Sequence, residues 1–264
     1  MATPVVFIHG LWLHATSWQP WLDKFNESGY APIAPEWPGG ADTVAQARAN
    51  PDAVARFGVK EVADHYAQII AGLPEKPVVI GHSFGGLLAQ NLLGRGITAA
   101  GVAIDPAPIK GVLPLPLSAL RVASIALRNP ANRSKGVSLT SEQFRYGFGN
   151  ALSIEESAEL FEKWTIPSPG RPLFEAALAN FTPNAPTKVD TANTSRGPLL
   201  LTSGGHDHTV PPAIVTATLK QYARSRAVTE LKVFPDRGHS LTVDHGWEEV
   251  AQTTLDFLKQ HSIT

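Results

Sequence analysis

The 264-residue chain contains no cysteine. That absence excludes disulfides, cysteine-ligated zinc, iron–sulfur clusters and thiol nucleophiles together. It leaves the compartment open, because a chain without thiols is indifferent to redox poise. The chain also lacks an excess of either charge: 22 Lys and Arg stand against 23 Asp and Glu, with no run of like sign. Nucleic acid and anionic membranes are met with such an excess, so neither is expected as a partner. No apolar stretch approaches the roughly 20 residues of a membrane span. The first residues, "MATPVVFIHG", have neither the basic start nor the apolar length of a signal peptide. The expectation is a cytoplasmic protein with no membrane span; nothing in the sequence sets its oligomeric state.

Short β-branched runs alternate with longer amphipathic ones, the pattern of an α/β fold in which a mostly parallel β-sheet is flanked by helices. Strands are predicted at "VVFIHG" (5–10), "APIAP" (31–35), "PVVIG" (77–81), "AAGVAID" (99–105), "GPLLLTSG" (197–204) and "VTELKVFP" (228–235). Several are continuously apolar, as strands buried on both faces are. Helices are expected over 83–94, 211–224 and 246–260, the last with Val250, Leu255, Phe257 and Leu258 on its buried stripe.

The stretch from Pro106 to Arg196 differs. Proline-rich and polar segments bound it, and helix signals without strand signals fill it. Thr140 with Gln143 and Ser153 with Glu156 fit capping boxes. Phe144 with Phe148 and Leu160 with Trp164 are spaced to share helix faces. An all-helical insertion of about four helices is expected, since a structureless loop of this length is out of keeping with a compact domain. The division is then a core of 1–106 and 196–264, with an insertion over 107–195.

"GHSFGG" (81–86) carries the strongest chemical signal. G-x-S-x-G alone is weak, but here a predicted strand precedes it and a predicted helix follows, the setting in which a serine is presented on a sharp turn. Such a turn demands small neighbours, which Gly81 and Gly85 supply. The plainer reading of Ser83 is a helix cap. A serine nucleophile needs a base. Of nine histidines, His239 in "FPDRGHSLTVD" falls between the last strand and the last helix, where ligands bind in open parallel sheets. His82 is set aside because adjacent side chains point apart. A carboxylate must hold the imidazole. Asp207 in "GGHDHTVP" is preferred to Asp105, which ends an earlier strand where the chain leaves for the insertion. The "HDH" triplet is poor metal-site spacing, so no metal is expected. Oxyanion donors are expected from the N–H groups of Phe84 and of Leu11 in "HGLW", with Trp12 as the alternative to Leu11.

Taken in order, "FIHGLW", "GHSFGG", "GGHDHTVP" and "GHS" resemble the serine hydrolases of the α/β-hydrolase fold superfamily. The resemblance covers 1–106 and 196–264, and the insertion falls where that family carries its helical cap. It implies an esterase-like serine hydrolase acting on a small-molecule ester through an acyl-enzyme, without a cofactor. Aspartate-nucleophile relatives are disfavoured by Ser83. Hydroxynitrile lyases are disfavoured by Gly10 and Ser240, where they typically place threonine and lysine. Perhydrolases, carbon–carbon bond hydrolases and small-ligand receptors on the same fold share enough of the pattern to stay open. One or two of the insertion's aromatics, among them Phe144, Tyr146, Phe148, Phe161, Trp164, Phe174 and Phe181, are expected to line an apolar pocket.

Overall fold

The computed structural model of the chain describes residues 2–264. In chain order its strands are β1 (Pro4–Ile8), β2 (Ala31–Ile33), β3 (Val78–His82), β4 (Ala100–Ile104), β5 (Gly136–Val137), β6 (Ser168–Pro169), β7 (Leu199–Gly204) and β8 (Thr229–Phe234). Six of them form one sheet in the order β2-β1-β3-β4-β7-β8, and every pairing in it is parallel. The helices are α1 (Gln19–Glu27), α2 (Val44–Ala49), α3 (Val59–Ala71), α4 (Phe84–Gly94), α5 (Leu117–Leu127), α6 (Ser141–Gly147), α7 (Ile154–Trp164), α8 (Arg171–Ala177), α9 (Pro212–Gln221) and α10 (Trp247–Gln260).

Successive strand residues point to opposite faces, and both faces are covered. Val6, Ile8, Val79, Ala103, Leu199 and Leu201 pack with Val62 and Tyr66 of α3, Leu88 and Leu92 of α4 and Val215 of α9. Val5, Phe7, Ile80, Val102 and Leu200 pack on the other side with Trp21 and Phe25 of α1 and Val250 and Leu258 of α10. Two-sided burial is why these strands read as unbroken apolar runs. The chain moves outward from β1 to β2, returns to β3 and continues to β8. The order therefore reverses beside β1 and β3, and the crevice beyond their carboxyl ends is the place for a ligand.

Between β4 and β7 lie α5 to α8, the number of helices expected, together with a two-residue antiparallel pair, β5 with β6. Two residues are too short to carry a strand period in sequence. A long-range contact joins the two strands: Trp12 Nε1 donates to the Val137 carbonyl at 3.0 Å and the Trp12 N–H to Ser168 Oγ at 2.6 Å, so both strands close over one tryptophan. The capping box of α6 has both arms. That of α7 has one: Ser153 Oγ accepts from the Glu156 N–H at 3.1 Å, while the Glu156 carboxylate accepts from the His245 N–H at 2.8 Å. Among the described residues no helix is long and apolar enough to cross a membrane.

Candidate active site

β3 ends at His82 and α4 begins at Phe84, leaving a single residue for the turn. Ser83 takes φ 56°, ψ −118° there, a conformation costing a non-glycine residue on the order of 1–3 kcal/mol. Its N–H donates to the Ile104 carbonyl at 2.9 Å, and its carbonyl accepts from Ala107 N–H at 2.9 Å and Leu87 N–H at 3.1 Å. A Cβ on Gly81 would overlap the Gly85 carbonyl, and one on Gly85 the Ile8 carbonyl. Only glycine allows the turn to pack this close to β1.

His239 is fully buried in the loop after β8. Its Nδ1 lies 2.6 Å from Asp207 Oδ2. The other carboxylate oxygen of Asp207 accepts from Thr209 N–H at 2.6 Å and Val210 N–H at 2.8 Å, which aims the group. A carboxylate accepts only, so His239 carries a proton on Nδ1. Nε2 is buried without a protein partner among the described residues. No hydrogen bond joins Ser83 Oγ to this nitrogen.

Asp105 stands behind this pair. Its Oδ2 is 4.0 Å from His239 Nδ1, and its Oδ1 accepts from Gly204 N–H at 2.9 Å. Burial first, and then the charge of Asp207, push the Asp105 carboxyl well above its usual range. Asp105, Asp207 and His239 bring donor atoms within 4.8 Å of one another. Asp207 is engaged by three donors, whereas Asp105 Oδ2 is buried without a hydrogen-bond partner among the described residues.

Several neighbours of His239 escape sequence reasoning. The His82 ring, dismissed as pointing elsewhere, lies with its centroid 4.6 Å from that of His239, and its Nε2 donates to the His239 carbonyl at 2.8 Å. Burial and the charge of His239 hold His82 well below the usual imidazole range, so it acts as a neutral strut. Phe148 meets His239 edge-on at 4.8 Å. Ser240 Oγ donates to Asp244 Oδ2 at 3.0 Å, and Arg237 pairs with the other oxygen of Asp244. Neighbours at these distances in sequence leave no spacing signal.

At the end of β1, a Cβ on Gly10 would come within 2.8 Å of Ser83 Cβ, which is why glycine stands there. Trp12, at φ 67°, spends its N–H on Ser168, so of the two early-loop donors considered, only the Leu11 N–H has no partner among the described residues. The Phe84 N–H opens α4, where helix N–H groups lack intrahelical partners.

Beside Ser83 is a cavity of about 140 Å³. Leu11, Phe84, Val210 and Ile214 line one side, Leu120, Ala123 and Leu127 of α5 and Leu173 of α8 the other, and no charged residue borders it. None of the seven insertion aromatics expected at the pocket borders it either. They have other partners: Phe144 stacks on Phe148 at 5.0 Å and meets Phe161 at 5.8 Å. Tyr146 is covered by Arg121, and Phe181 is exposed. Aromatics at helical spacing build the interior of the insertion, while leucine and alanine line the cavity.

A family model described as the alpha/beta hydrolase family matches residues 5–253. The chain belongs to that family. As a hydrolase it has solved structural counterparts at low identity. A methylesterase from Arabidopsis is 16% identical with a TM-score of 0.68, over 98% of this chain and 99% of that one. A monoacylglycerol lipase from Paleococcus ferrophilus is 22% identical with a TM-score of 0.66, over 99% and 97%. A pyrethroid hydrolase from Sphingobium faniae is 16% identical with a TM-score of 0.63, over 98% of each. At such identities the likeness establishes the fold. No curated protein matches the sequence.

Proposed function

We propose that the chain is a serine esterase that cleaves a small, uncharged carboxylic ester through an acyl-enzyme. The observation that carries this reading is the placement of two preorganised parts at the carboxyl ends of one parallel sheet, joined through the His82 ring against His239. One is a serine on a strained turn, with Gly10 packed against it; the other is a buried His239–Asp207 pair at 2.6 Å.

In this mechanism Ser83 Oγ attacks the ester carbonyl as His239 Nε2 takes its proton. Asp207 keeps the imidazole in the required tautomer and stabilises the imidazolium. The Leu11 and Phe84 N–H groups receive the developing oxyanion, each worth on the order of 10²–10³ in rate. His239 returns the proton to the leaving alkoxide and then draws one from water, which releases the acid and frees Ser83. No group beyond the chain's own side chains and backbone is required.

The same reading takes 107–195 as a cap on the core of 1–106 and 196–264, since the cavity is walled by Leu11 and Phe84 from one and Leu120 and Leu127 from the other. Its volume compares with the roughly 150 Å³ apolar cavity that holds a benzene. An acyl group of butanoyl to hexanoyl size is expected to be preferred, and charged acyl groups to be rejected.

The test is hydrolysis of a p-nitrophenyl ester series from acetate to decanoate by the wild type and by Ser83→Ala. Loss of roughly 10⁶ in kcat in the variant, with a wild-type optimum at four to six carbons, is the expected result. Activity retained by Ser83→Ala would overturn the assignment of the nucleophile.

A further inference from the structure

A second buried cluster lies directly behind the early loop. His9 is 4% and His14 is 1% exposed, and Glu36 sits between them. Glu36 Oε2 is 3.1 Å from His9 Nε2, and Oε1 is 3.1 Å from His14 Nε2. Glu36 Oε1 also accepts from the Ala15 N–H at 2.6 Å. Burial would raise this carboxyl, but His9, His14 and the Ala15 N–H outweigh it and hold it below the usual range, as a carboxylate.

The two histidines are used differently. His14 Nδ1 accepts from the Thr16 N–H at 3.2 Å, so its proton is on Nε2, between Glu36 and the Ala41 carbonyl. His9 faces acceptors on both sides. Its Nδ1 is 2.8 Å from the Gly10 carbonyl, which can only accept, and its Nε2 meets the Glu36 carboxylate. The Nε2 contact is a close approach without hydrogen-bond geometry, whereas the Gly10 carbonyl, an acceptor only, requires the proton of Nδ1. Trp37 stacks on the ring with centroids 5.6 Å apart and donates from Nε1 to the His9 carbonyl at 3.1 Å.

The Gly10 carbonyl belongs to the same peptide group as the Leu11 N–H. We propose that His9, held by Glu36, is a positioning residue of the oxyanion site: its Nδ1–H bond to the Gly10 carbonyl fixes and polarises the peptide whose N–H receives the oxyanion. Chained hydrogen bonds strengthen one another, so a donor on the carbonyl makes the Leu11 N–H a better donor in turn. The Glu36–His9 dipole points its positive end at the site where negative charge develops. The inference rests on the acyl-transfer reading, with Ser83 as nucleophile and Leu11 as donor.

It is tested in the full chain with Glu36→Gln, His9→Asn and His9→Gln. The readouts are kcat, KM, and inhibition by an alkyl trifluoromethyl ketone and by its methyl ketone analogue. The fluorinated ketone adds to the nucleophile to give a charged oxyanion, whereas the methyl ketone binds without becoming charged. For Glu36→Gln we expect kcat to fall on the order of ten-fold, short of the 10²–10³ that removing a whole donor costs. The trifluoromethyl ketone should weaken by a similar factor, with KM and methyl ketone binding within two-fold of wild type. His9→Asn, which keeps an N–H where Nδ1 stands, should retain more kcat than His9→Gln, and that ranking decides the matter if Glu36→Gln does not fold.

An unchanged kcat overturns the inference, as does parallel loss of methyl ketone and trifluoromethyl ketone affinity, which would mean the cluster only supports the fold. Ser83→Ala separates the two levels. If it stays active, the acyl-transfer reading fails. If it is inactive while the His9 and Glu36 variants match wild type, that reading stands and only the polarised peptide falls.

Discussion

Two carboxylates stand near one imidazole, and they differ in what surrounds them. Asp207 accepts from two backbone N–H groups and from His239 Nδ1, whereas Asp105 has one N–H donor and an adjacent negative charge. Asp207→Asn is expected to lower kcat by about 10⁴ by placing the imidazole in the wrong tautomer. Asp105→Asn should stay within about ten-fold of wild type, measured on the same ester. A carboxyl whose folded-state proton affinity is raised contributes stability that is complete below its ordinary pKa of about 3.9 and is lost as pH rises through the raised value. Asp105→Asn, neutral at every pH, keeps that contribution. Its melting temperature should match wild type near pH 4 and exceed it at pH 7–8, read from thermal melts across pH. Loop position in the sequence pointed to Asp207 as the partner of His239, which it contacts at 2.6 Å, but the place of Asp105 against Asp207 was not legible, because a strand end and a distant loop meet only across β4 and β7.

The turn between β3 and α4 is the element on which the site depends. Its glycines are contacts rather than hinges: Gly85 meets β1, and Gly81 meets Gly85. Gly85→Ala should cost more than about 3 kcal/mol or prevent folding, as overpacking against rigid backbone does, while Gly29→Ala, at φ 89° with open space around it, should cost only about 1 kcal/mol. Denaturant melts of the two variants compare them. On the other side of the site, Ser168→Ala would leave the buried Trp12 N–H without its acceptor, a loss of about 1–3 kcal/mol. If the β5–β6 pair also positions the early loop, kcat falls several-fold in the same variant with KM little changed. The strand–serine–helix element could be read from "PVVIGHSFGGLLAQ", because its demands are local. The β5–β6 pair could not, because it joins two-residue segments far apart in the chain, both tied to Trp12.

Over the whole molecule, charge is balanced and stability in acid depends on a few buried groups. Glu36 is held below its usual range, so its contribution is present above the ordinary value of about 4.3 and is lost as pH falls through the lower, folded value. Glu36→Gln should flatten the fall in melting temperature below about pH 4, whatever it does to catalysis. Much of the architecture was determined by the sequence alone: the parallel sheet from its apolar runs, the helices between β4 and β7 from capping and spacing, the strand–serine–helix turn from its glycines, and the position of His239 from its place after the last strand. These rest on local sterics and on burial periodicity, which neighbouring residues carry. Only the tertiary structure decided that His82 braces His239, that α5 rather than the insertion's aromatics walls the cavity, and that Glu36 and His9 back the Gly10–Leu11 peptide. Those contacts join residues that no local rule relates, and packing selects them only once the sheet and its helices bring the segments together.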